Sequence, residues 1–590
     1  MTDLTSALTE ACADAFEALG LERRWGAVRR SDRPDLADFQ CNGCMGAAKS
    51  AGRNPRELAA EIAPKLAGAG PIQSVDVAGP GFLNIRVTPD ALASRAETVR
   101  TDDMRGAIKA ADAEPVVIDL GGPNVAKPMH VGHIRSAVIG DTLQRLMRFL
   151  GDEVTSDAHL GDWGLQMGHL VTELEDEQPD LVYFDAAFEG PYPDEPPVTI
   201  EDLGRLYPQA SSKAKADPER NERSQTAVAE LQAGRAGYRA LLAHFINVSV
   251  AALKIDYAFL NVSFDLWKGE SDVDGLIPDV IETFREQGLA EEDGGALIVR
   301  LERESDKKDV PPLMLLNSRG GTGYHTTDLA TILDRVRSLD PAPKRMIYVV
   351  DQRQALHFEQ VYRAAGMAGM FPEDHLEHIG FGTVNGPDGK PFKTREGGVL
   401  RLSDLNAMAL AEAEKKIADA AKLPEDMSDA ERADVAHKVA VAALRFSDLQ
   451  NMRTTNYVFD LDRFTSFEGK TGPYLLYAAV RIKSLLRRAA DEGHATGDIA
   501  IESEAERALV LAMDGFGAAC LSARDKRTPH ILCEHVYGLA QAFSALYGAH
   551  PIAAEKDETK RASRLALCEA VLGQLECGLG LLGIETPERM

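Results

Sequence analysis

The segment between residues 116 and 160 limits most strongly what this chain can fold into. Residues 116–120 (VVIDL) form a short apolar run, typical of a strand buried on both faces of a parallel sheet, and the chain-breaking sequence GGPN follows it. Beyond His130 apolar residues recur at helical spacing until Gly151, and EVTSDAHL then has the pattern of another strand. This order predicts one βαβ unit of a parallel sheet.

A second unit of the same kind lies far downstream. RMIYVVD (345–351) predicts a strand, QALHFEQVYRAAG a helix and LEHIGFGTV another strand. We therefore expect a parallel sheet built from two separated halves of the chain. The residues between the halves, roughly 170–310, include a long polar and acidic stretch and are expected to form an inserted subdomain.

The two ends of the chain have different patterns. An amphipathic helix from Leu4 to Leu19 and the alternating segment PIQSVDVAGPGFLNIRVT predict a small α+β domain over residues 1–108. Ala- and Leu-rich helical patterns predict an all-α domain over residues 403–590. The expected fold class is α/β, with a parallel-sheet core over residues 109–402 that contains the insertion.

Charge and cysteine content exclude several classes of protein. The 65 basic and 92 acidic residues give a net charge of −27, which argues against binding nucleic acid by bulk positive charge. No apolar stretch approaches the roughly 18 residues that span a bilayer, and the N-terminus carries acids where a secretory signal carries bases, so we expect a cytoplasmic protein. The CxxC pair Cys41 and Cys44 could be half a zinc site or a redox pair, but no second ligand pair completes a zinc site, so we expect ordinary thiols.

The most informative short motif is His130-Val131-Gly132-His133, at the opening of the first predicted helix. A helix N-terminus presents unpaired N–H groups and partial positive charge, which favours bound anions. Two imidazoles three residues apart share one helical face and can both donate toward phosphate oxygens. Gly132 leaves room for a flat base against the backbone. The alternative interpretation is a histidine pair that only caps the helix.

A glycine- and lysine-rich loop follows the last predicted strand of the second half. GPDGKPFKTREGG (386–398) carries Lys390, Lys393 and Arg395, which are placed to reach over bound phosphates. The alternative is an ordinary solvated basic turn. Because parallel α/β folds bind ligands at the carboxyl ends of their strands, the loop and the histidine motif are expected at the same edge of the sheet.

Taken together, these segments resemble a known family. PNVAKPMHVGH and the lysine-rich loop resemble the two signature motifs of class I aminoacyl-tRNA synthetases, and DLGGPNVAKPMHVGHIRSAVIGD resembles the arginyl-tRNA synthetases in particular. Further segments resemble that family in the same order: DFQCNGCMGAAK, AGPGFLNI, HLGDWGLQMG, SFDLWKGES, GYHTTDLA, YVVDQRQALHF and GPYLLYAAVRIKSLLR. The resemblance implies a Rossmann-type catalytic core with a connective insertion, an N-terminal domain that touches the tRNA elbow and a helical anticodon-binding domain.

The resemblance also implies roles for individual residues. The residues implied in catalysis are Lys127, His130, His133 and Lys393. Those implied in ATP binding are Pro123, Asn124, His130, Gly132, His133, Lys390 and Lys393. Those implied in arginine binding are Asp119, Gly122, Asn124, His133, Tyr324, Asp328 and Gln354. The chemistry is consistent, because a carboxylate accepts two hydrogen bonds side by side from a planar guanidinium.

The sequence departs from the family pattern at two places. Gly121 and Gly122 stand where relatives often carry serine, so only backbone contacts remain there. The segment Pro391–Arg395 leaves no lysine at the second lysine position of the loop signature. In the family a lysine shortly before the histidine motif is thought to replace it, and Lys127 matches that lysine.

The implied reaction joins arginine to tRNA(Arg) through an arginyl-adenylate, with ATP and its accompanying Mg²⁺ and no protein-bound structural metal. Strong selection for a guanidinium makes an editing domain unnecessary. In RIKSLLRR (481–488) the basic residues lie near Tyr474 and Tyr477, and Arg481, Lys483 and Arg487 are predicted tRNA contacts, with a solvated helix face as the alternative. We expect a monomer without a membrane partner. The rival functions are an HxGH-type nucleotidylyltransferase and a non-catalytic tRNA-binding relative.

Overall fold

The computed structural model describes residues 3–386, 388–390, 400–419 and 426–590, the Asp419 side chain excepted. By their internal contacts the residues form two compact units. The first unit contains Met1–Lys109, Leu423–Lys438 and Phe467–Met590. The second unit contains Ala110–Lys422 and Val439–Ser466. The predicted division into three consecutive domains stays a prediction.

The N-terminal part of the first unit is an α+β structure, as the alternating pattern predicted. Its elements are α1 (Leu4–Glu17), β1 (Val28–Arg30), β2 (Phe39–Cys41), α2 (Gly43–Ala51), α3 (Pro55–Leu66), β3 (Ile72–Ala78), β4 (Phe82–Val87) and α4 (Pro89–Thr101). The strands form one antiparallel sheet in the order β1-β2-β4-β3. The Asp3 carboxylate caps α1 by accepting a hydrogen bond of 2.7 Å from the Ser6 N–H.

The second unit begins with the predicted βαβ segment and then the insertion. Its elements up to the insertion's end are β5 (Pro115–Leu120), α5 (His133–Leu150), β6 (Glu153–Asp157), α6 (Leu165–Glu177), α7 (Ile200–Ala216), α8 (Pro218–Gln232), α9 (Ala236–Phe259), α10 (Ile277–Glu286), β7 (Ala290–Asp293), β8 (Ala296–Val299) and β9 (Leu313–Leu316). The remaining elements are α11 (Tyr324–Ser338), β10 (Arg345–Val349), α12 (Ala355–Met367), β11 (Leu376–His378), β12 (Val384–Asn385), α13 (Leu402–Asp419), α14 (Asp429–Leu449), β13 (Tyr457–Val458) and α15 (Leu461–Phe464). Helix α14 begins among residues of the first unit.

The central sheet is parallel and joins the two halves, as predicted. Its order is β11-β10-β5-β6, so β5 lies between β10 from the second half and β6 from the first. Asp119 is in register with Tyr348 on one side and with Asp157 on the other. The carboxyl ends of these three strands therefore meet at one edge, where a parallel α/β sheet binds its ligands.

One strand prediction was too long. LEHIGFGTV was expected to form one strand, but only Leu376–His378 joins the parallel sheet, and Val384–Asn385 pairs with β13 instead. Beyond the strand, Phe381 forms a single bridge to Asp351, and Gly382 lies close to Asn456, whose Oδ1 atom would be 2.5 Å from a Cβ atom there. The chain then runs beside residues 455–458.

The insertion is mostly helical and ends in the small antiparallel sheet β7-β8-β9. The expectation that no apolar stretch approaches a membrane span was wrong, because helix α9 is long and apolar enough to cross a membrane by length and composition. It packs against α6, α7 and α8, and its buried residues include Leu241, Leu242 and Phe245. These contacts bury 39% of its apolar window inside the protein.

The C-terminal part of the chain is helical, as predicted, apart from the two-residue strand β13. Its further helices are α16 (Gly472–Asp491), α17 (Glu504–Asp514), α18 (Phe516–Asp525), α19 (His530–Ala549) and α20 (Glu558–Leu581). Within the first unit, Arg95 donates to Asp514 at 2.7 Å with both side chains buried. Within the second unit, the buried Nε of Arg135 lies 3.1 Å from Oδ2 of Asp448, 313 residues away in sequence.

Candidate active site at the edge of the parallel sheet

The histidine motif follows a tight turn at the end of the central strand. Strand β5 ends at Leu120, and Gly121 and Gly122 have φ angles of +87° and +41°. A Cβ atom at residue 121 would lie 2.5 Å from the Tyr257 hydroxyl oxygen. Both the left-handed backbone and the nearby Tyr257 hydroxyl therefore favour glycine over serine at position 121.

Helix α5 begins at His133, and no side chain caps its N-terminus. His130 is exposed on the preceding turn, and the centroids of the two imidazole rings lie 4.0 Å apart. The N–H groups of the first helical turn and both rings thus face one place at the sheet edge. This arrangement suits a polyanion, as the motif predicted.

The backbone holds both imidazole rings and sets the tautomer of His130. His130 Nδ1 accepts a hydrogen bond of 3.0 Å from the Gly132 N–H, which leaves its proton on Nε2. His133 Nδ1 lies 3.0 Å from the His130 N–H and 3.3 Å from the His130 carbonyl oxygen, so both of its tautomers fit these contacts. His130 therefore presents an Nε2–H donor, and His133 is held in place by the same turn.

Both imidazoles are neutral at physiological pH. Burial, with the neighbouring His130, lowers the pKa of His133 to about 3. Burial and then the positive charge of Arg353 lower the pKa of His130. The pair consequently offers two uncharged donors whose orientation the backbone fixes, rather than two cations that would repel each other.

Pro123 and Asn124 belong to a contact between the β5–α5 and β6–α6 loops. The Gly161 N–H donates to the Pro123 carbonyl at 3.1 Å, and the Val125 N–H donates to the Gly161 carbonyl at 3.0 Å. A Cβ atom at residue 161 would lie 2.7 Å from Asn124 Oδ1. Asn124 is thereby held at the carboxyl edge of the sheet.

The predicted lysines have different surroundings. Lys127 Nζ lies 4.4 Å from the centroid of the Tyr207 ring, a cation–π distance. Lys390 is exposed, and its carbonyl accepts a hydrogen bond of 2.7 Å from the Gly386 N–H. Lys393 and Arg395 lie outside the described residues, so their predicted roles stay predictions.

Residues 400–402 lie directly against the histidine motif. The Val131 N–H donates to the Leu400 carbonyl at 3.0 Å, and the Leu402 N–H donates to the Met129 carbonyl at 2.9 Å. These two bonds make an antiparallel bridge between His130 and Arg401. The chain that follows the predicted loop is thus fixed beside the first histidine.

The predicted arginine-binding residues begin with a helical pair. Tyr324 is the first residue of α11, and Asp328 follows one turn later, as the i, i+4 spacing predicted. The Asp328 carboxylate forms a short hydrogen bond with Nε2 of His357. Gln354 ends a short 3₁₀ helix and is exposed, as is Gly122.

Glu270 lies within the segment SFDLWKGES, and the sequence alone implied no function for it. Its side chain is buried, and Oε2 accepts a hydrogen bond of 3.3 Å from the Trp163 N–H. The next residue, Gly164, faces the Tyr324 hydroxyl, which would lie 3.1 Å from a Cβ atom there. Burial and the negative charge of Asp328 raise the pKa of Glu270 to about 8. Glu270, Asp328 and Tyr324 therefore lie near one another, and Glu270 interacts electrostatically with both of the others.

Asp119 already has a cationic partner within the chain. Its Oδ2 accepts a hydrogen bond of 2.7 Å from the buried Arg335, which also donates to Asp157 at 2.9 Å. His159 Nδ1 lies 3.6 Å from Asp157 Oδ2. Burial alone would lower the pKa of His159, but the neighbouring Asp157 and Asp119 raise it to about 9. The predicted contact of Asp119 with arginine stays a prediction.

Asp119, Asp157 and His159 are the one group of three potential metal-binding side chains found among the described residues. The Arg335 guanidinium bonds to both of its carboxylates. The positive charge that such a group would attract is therefore supplied by the chain itself.

The predicted tRNA contacts lie on α16 in the first unit. The Arg481 guanidinium stacks 3.8 Å from the centroid of the Tyr547 ring, and Arg487 is exposed. Lys483 differs, since its Nζ lies 2.8 Å from Glu576 and 2.7 Å from Glu588 and its side chain is only 11% exposed. The basic run looked free of acids in the sequence because these glutamates are distant along the chain.

Family comparisons agree with this geometry. Residues 96–461 match the family model described as the catalytic domain of class I (R) tRNA synthetases. Residues 2–87 match the arginyl-tRNA synthetase N-terminal domain and residues 475–590 the DALR anticodon-binding domain. The fold and the matched catalytic domain are those of a class I aminoacyl-tRNA synthetase.

Individual proteins are similar over the whole length. The arginine–tRNA ligase of Hyphomonas neptunium is 73% identical over 590 residues, 100% of each chain. The chain belongs to the arginyl-tRNA synthetase family. The arginine–tRNA ligase of Maricaulis maris is 59% identical over 591 aligned residues, again 100% of each chain. The crystal structure of the Plasmodium falciparum arginyl-tRNA synthetase has the same fold, with a TM-score of 0.80 over 100% of both chains at 22% identity.

Proposed function

We propose that the site at the carboxyl edge of the parallel sheet activates L-arginine with ATP and transfers it to tRNA(Arg). The chain is an arginine–tRNA ligase, since its family models and its full-length relatives agree on that activity. The observation that carries the assignment of the site is the pair of neutral imidazoles at the uncapped start of α5. Neutral imidazole N–H donors held at a helix N-terminus suit the phosphates of ATP.

In the first step an oxygen of the arginine carboxylate bonds to the α-phosphorus of ATP. The bond from that phosphorus to the bridging oxygen breaks, and pyrophosphate leaves with the electron pair. His130 and His133 donate to phosphate oxygens as their charge grows, while Asn124 and Gly132 line the nucleotide. Mg²⁺ enters with the ATP phosphates as part of the substrate.

In the second step the 2′-hydroxyl of the terminal adenosine of tRNA attacks the carbonyl carbon of the adenylate, and AMP leaves. No side-chain nucleophile takes part. The rate enhancement rests on positioning of the two substrates and on donors aimed at developing charge. Lys127, Lys390 and Lys393 supply positive charge near the phosphates.

The arginine side chain lies beside Asp328 and Glu270. A guanidinium presents five N–H donors in one plane, so two carboxylates and the Tyr324 hydroxyl can hold it. Gln354, Asp119 and Gly122 complete the predicted arginine site. A smaller or uncharged side chain would leave the buried Glu270 without a cationic partner, which is the basis of selection.

Further parts of the proposal concern the whole molecule. Its consecutive domains cover residues 1–108, 109–402 and 403–590, and the protein acts as a cytoplasmic monomer without a membrane partner or a resident metal. Arg481, Lys483 and Arg487 contact tRNA. The nucleotidylyltransferase and non-catalytic alternatives are not favoured. The full-length relatives are arginine–tRNA ligases, and the helical C-terminal region matches an anticodon-binding domain.

The test is charging of total tRNA with labelled arginine and, separately, with each other amino acid, in the presence of ATP and Mg²⁺. We expect arginine alone to be charged, and the His133→Ala variant to lose the activity. Binding of tRNA without charging of any amino acid would favour the non-catalytic alternative.

A further inference from the structure

Arg401 stands opposite His130 in a short antiparallel ladder. The backbone hydrogen bonds on either side of the pair, from Val131 to Leu400 and from Leu402 to Met129, are 3.0 and 2.9 Å long. Their pattern is that of a non-hydrogen-bonded pair, in which the facing Cα atoms are only about 4.5 Å apart and the side chains leave the same face. The position of Arg401 is thus tied to that of a histidine of the active site.

The Arg401 guanidinium is exposed and has no hydrogen-bond or ion-pair partner among residues 3–386, 388–390, 400–419 and 426–590. Other arginines of the same unit differ. Arg335, Arg345 and Arg363 each bond to two carboxylates. Arg401 lies beside the proposed phosphate site and pairs with no carboxylate among the described residues. Its guanidinium is therefore available to bind an anionic ligand.

Arg401 also lines a cavity of about 480 Å³ together with Lys127 and the hydroxyl-bearing residues Ser249 and Ser403. The Ser249 Oγ accepts a hydrogen bond of 2.9 Å from the Ala126 N–H, so its hydroxyl proton is left to donate elsewhere. The lining also includes the acids Glu201 and Asp256. Lys127 and Arg401 are the cations of this lining, and each is near the histidine motif, Lys127 along the chain and Arg401 through its bridge to His130, so a bound anion is expected to pair with these two.

We propose that Arg401 is a further catalytic residue of the activation step, in which its guanidinium binds the pyrophosphate group of ATP. This inference rests on the proposed function. When the bond between the α-phosphorus and the bridging oxygen breaks, the electron pair passes to pyrophosphate. Arg401 neutralises part of that charge, and its planar fork can bind two oxygens at once, which a lysine ammonium does not do.

The experiment compares the full-length Arg401→Ala and Arg401→Lys variants with the unchanged protein. Arg285→Ala is the matched control, because Arg285 is an exposed arginine of helix α10 outside the site and has no partner among the residues described. ATP–pyrophosphate exchange in the presence of tRNA gives kcat and the KM values for ATP and arginine. Inhibition of charging by inorganic pyrophosphate measures binding of that group directly.

We expect Arg401→Ala to lower kcat/KM for ATP by about 100-fold and to weaken pyrophosphate inhibition by about tenfold, while KM for arginine stays within about twofold. Arg401→Lys should recover part of both effects, and Arg285→Ala should match the unchanged protein. Transfer of arginine from preformed adenylate to tRNA should be equally fast in all variants.

Two results would overturn the inference while the proposed function stands. One is an Arg401→Ala variant with unaltered pyrophosphate inhibition. The other is an equal loss in adenylate formation and in transfer, without recovery by lysine, which would assign Arg401 a purely structural role. If the unchanged protein charges no arginine, the proposed function itself fails.

Discussion

The Arg335 guanidinium donates to the Asp119 carboxylate at 2.7 Å, and both side chains are buried at the edge of the central sheet. Replacing Arg335 by Met leaves Asp119 and Asp157 buried without their counter-charge. We expect the free energy of unfolding to fall by about 3–5 kcal/mol, measured by urea denaturation followed by circular dichroism.

The control is Arg337→Met in the same helix. Arg337 pairs with Asp279, but the two side chains are 52% and 48% exposed. We expect this change to cost less than about 1 kcal/mol. Equal losses for the two variants would contradict the importance of the buried pair.

Alanine substitutions at Gly121 and Gly122 distinguish the cost of backbone strain from the cost of a steric clash. Alanine at residue 122 meets no atom within 4 Å, so we expect only the cost of its positive φ, about 1–2 kcal/mol. Alanine at residue 121 would also place its Cβ atom 2.5 Å from the Tyr257 hydroxyl. We expect Gly121→Ala to be the more destabilising in thermal unfolding, and the reverse order would refute the steric argument.

Glu270 makes arginine binding depend on pH. With its pKa raised to about 8, the carboxyl is mostly protonated at pH 7 and must release its proton to pair with a guanidinium. We expect KM for arginine to fall by up to about tenfold per unit from pH 6.5 toward 8 and then to level off. The measurement is ATP–pyrophosphate exchange at a series of pH values.

The Glu270→Gln variant is the control, and it should show a weaker arginine affinity with little pH dependence. The stability of the arginine-free protein should respond in the opposite sense. Because the folded pKa lies above the unfolded value, Glu270 destabilises the fold as pH rises from about 4.5 to 8. A Glu270→Gln variant that keeps the pH profile of the unchanged protein would remove Glu270 from the arginine site.

The histidine pair should remain neutral across the working pH range. Because burial depresses both pKa values, we expect kcat for activation to show no inflection near 6.5. The stabilising contribution of neutral His133 is complete above pH 6.5 and is lost as pH falls toward 3. His133→Ala should lower kcat by about 100- to 1000-fold, whereas His375→Ala, outside the site, should not.

Arg487 and Lys483 are predicted to differ in tRNA binding. Arg487→Ala should weaken tRNA affinity and reduce the slope of log K against log salt by roughly 0.7, because one exposed phosphate contact is lost. Lys483→Ala should mainly lower the melting temperature, since the lysine is bound to Glu576 and Glu588. A larger salt effect for Lys483→Ala than for Arg487→Ala would reverse this assignment.

The central sheet could be predicted because its signals are local. The apolar run of β5, the helical spacing in α5 and the next strand lie within one short segment. The same is true of Tyr324 and Asp328, which share a helix at i, i+4. These patterns depend on neighbours along the chain, which the sequence displays directly.

Interactions between distant residues could not be predicted in this way. Arg335 and Asp119 are 216 residues apart, and Lys483 and Glu588 are 105 apart. No periodicity or motif records such a pair. The function of Glu270 could not be predicted for a related reason. It is a single acid in a connecting segment, and only the fold brings Asp328 and Tyr324 beside it.

The buried contact between Arg135 and Asp448 has a consequence for how the protein folds during its synthesis on the ribosome. Helix α5 emerges early, yet its buried cation has no counter-charge until residue 448 of 590 has been synthesised. A charge left without its partner in the interior is strongly unfavourable. The catalytic unit therefore completes its folding only after residue 448 has left the ribosome, while the helices that begin at Gly472 are still being made.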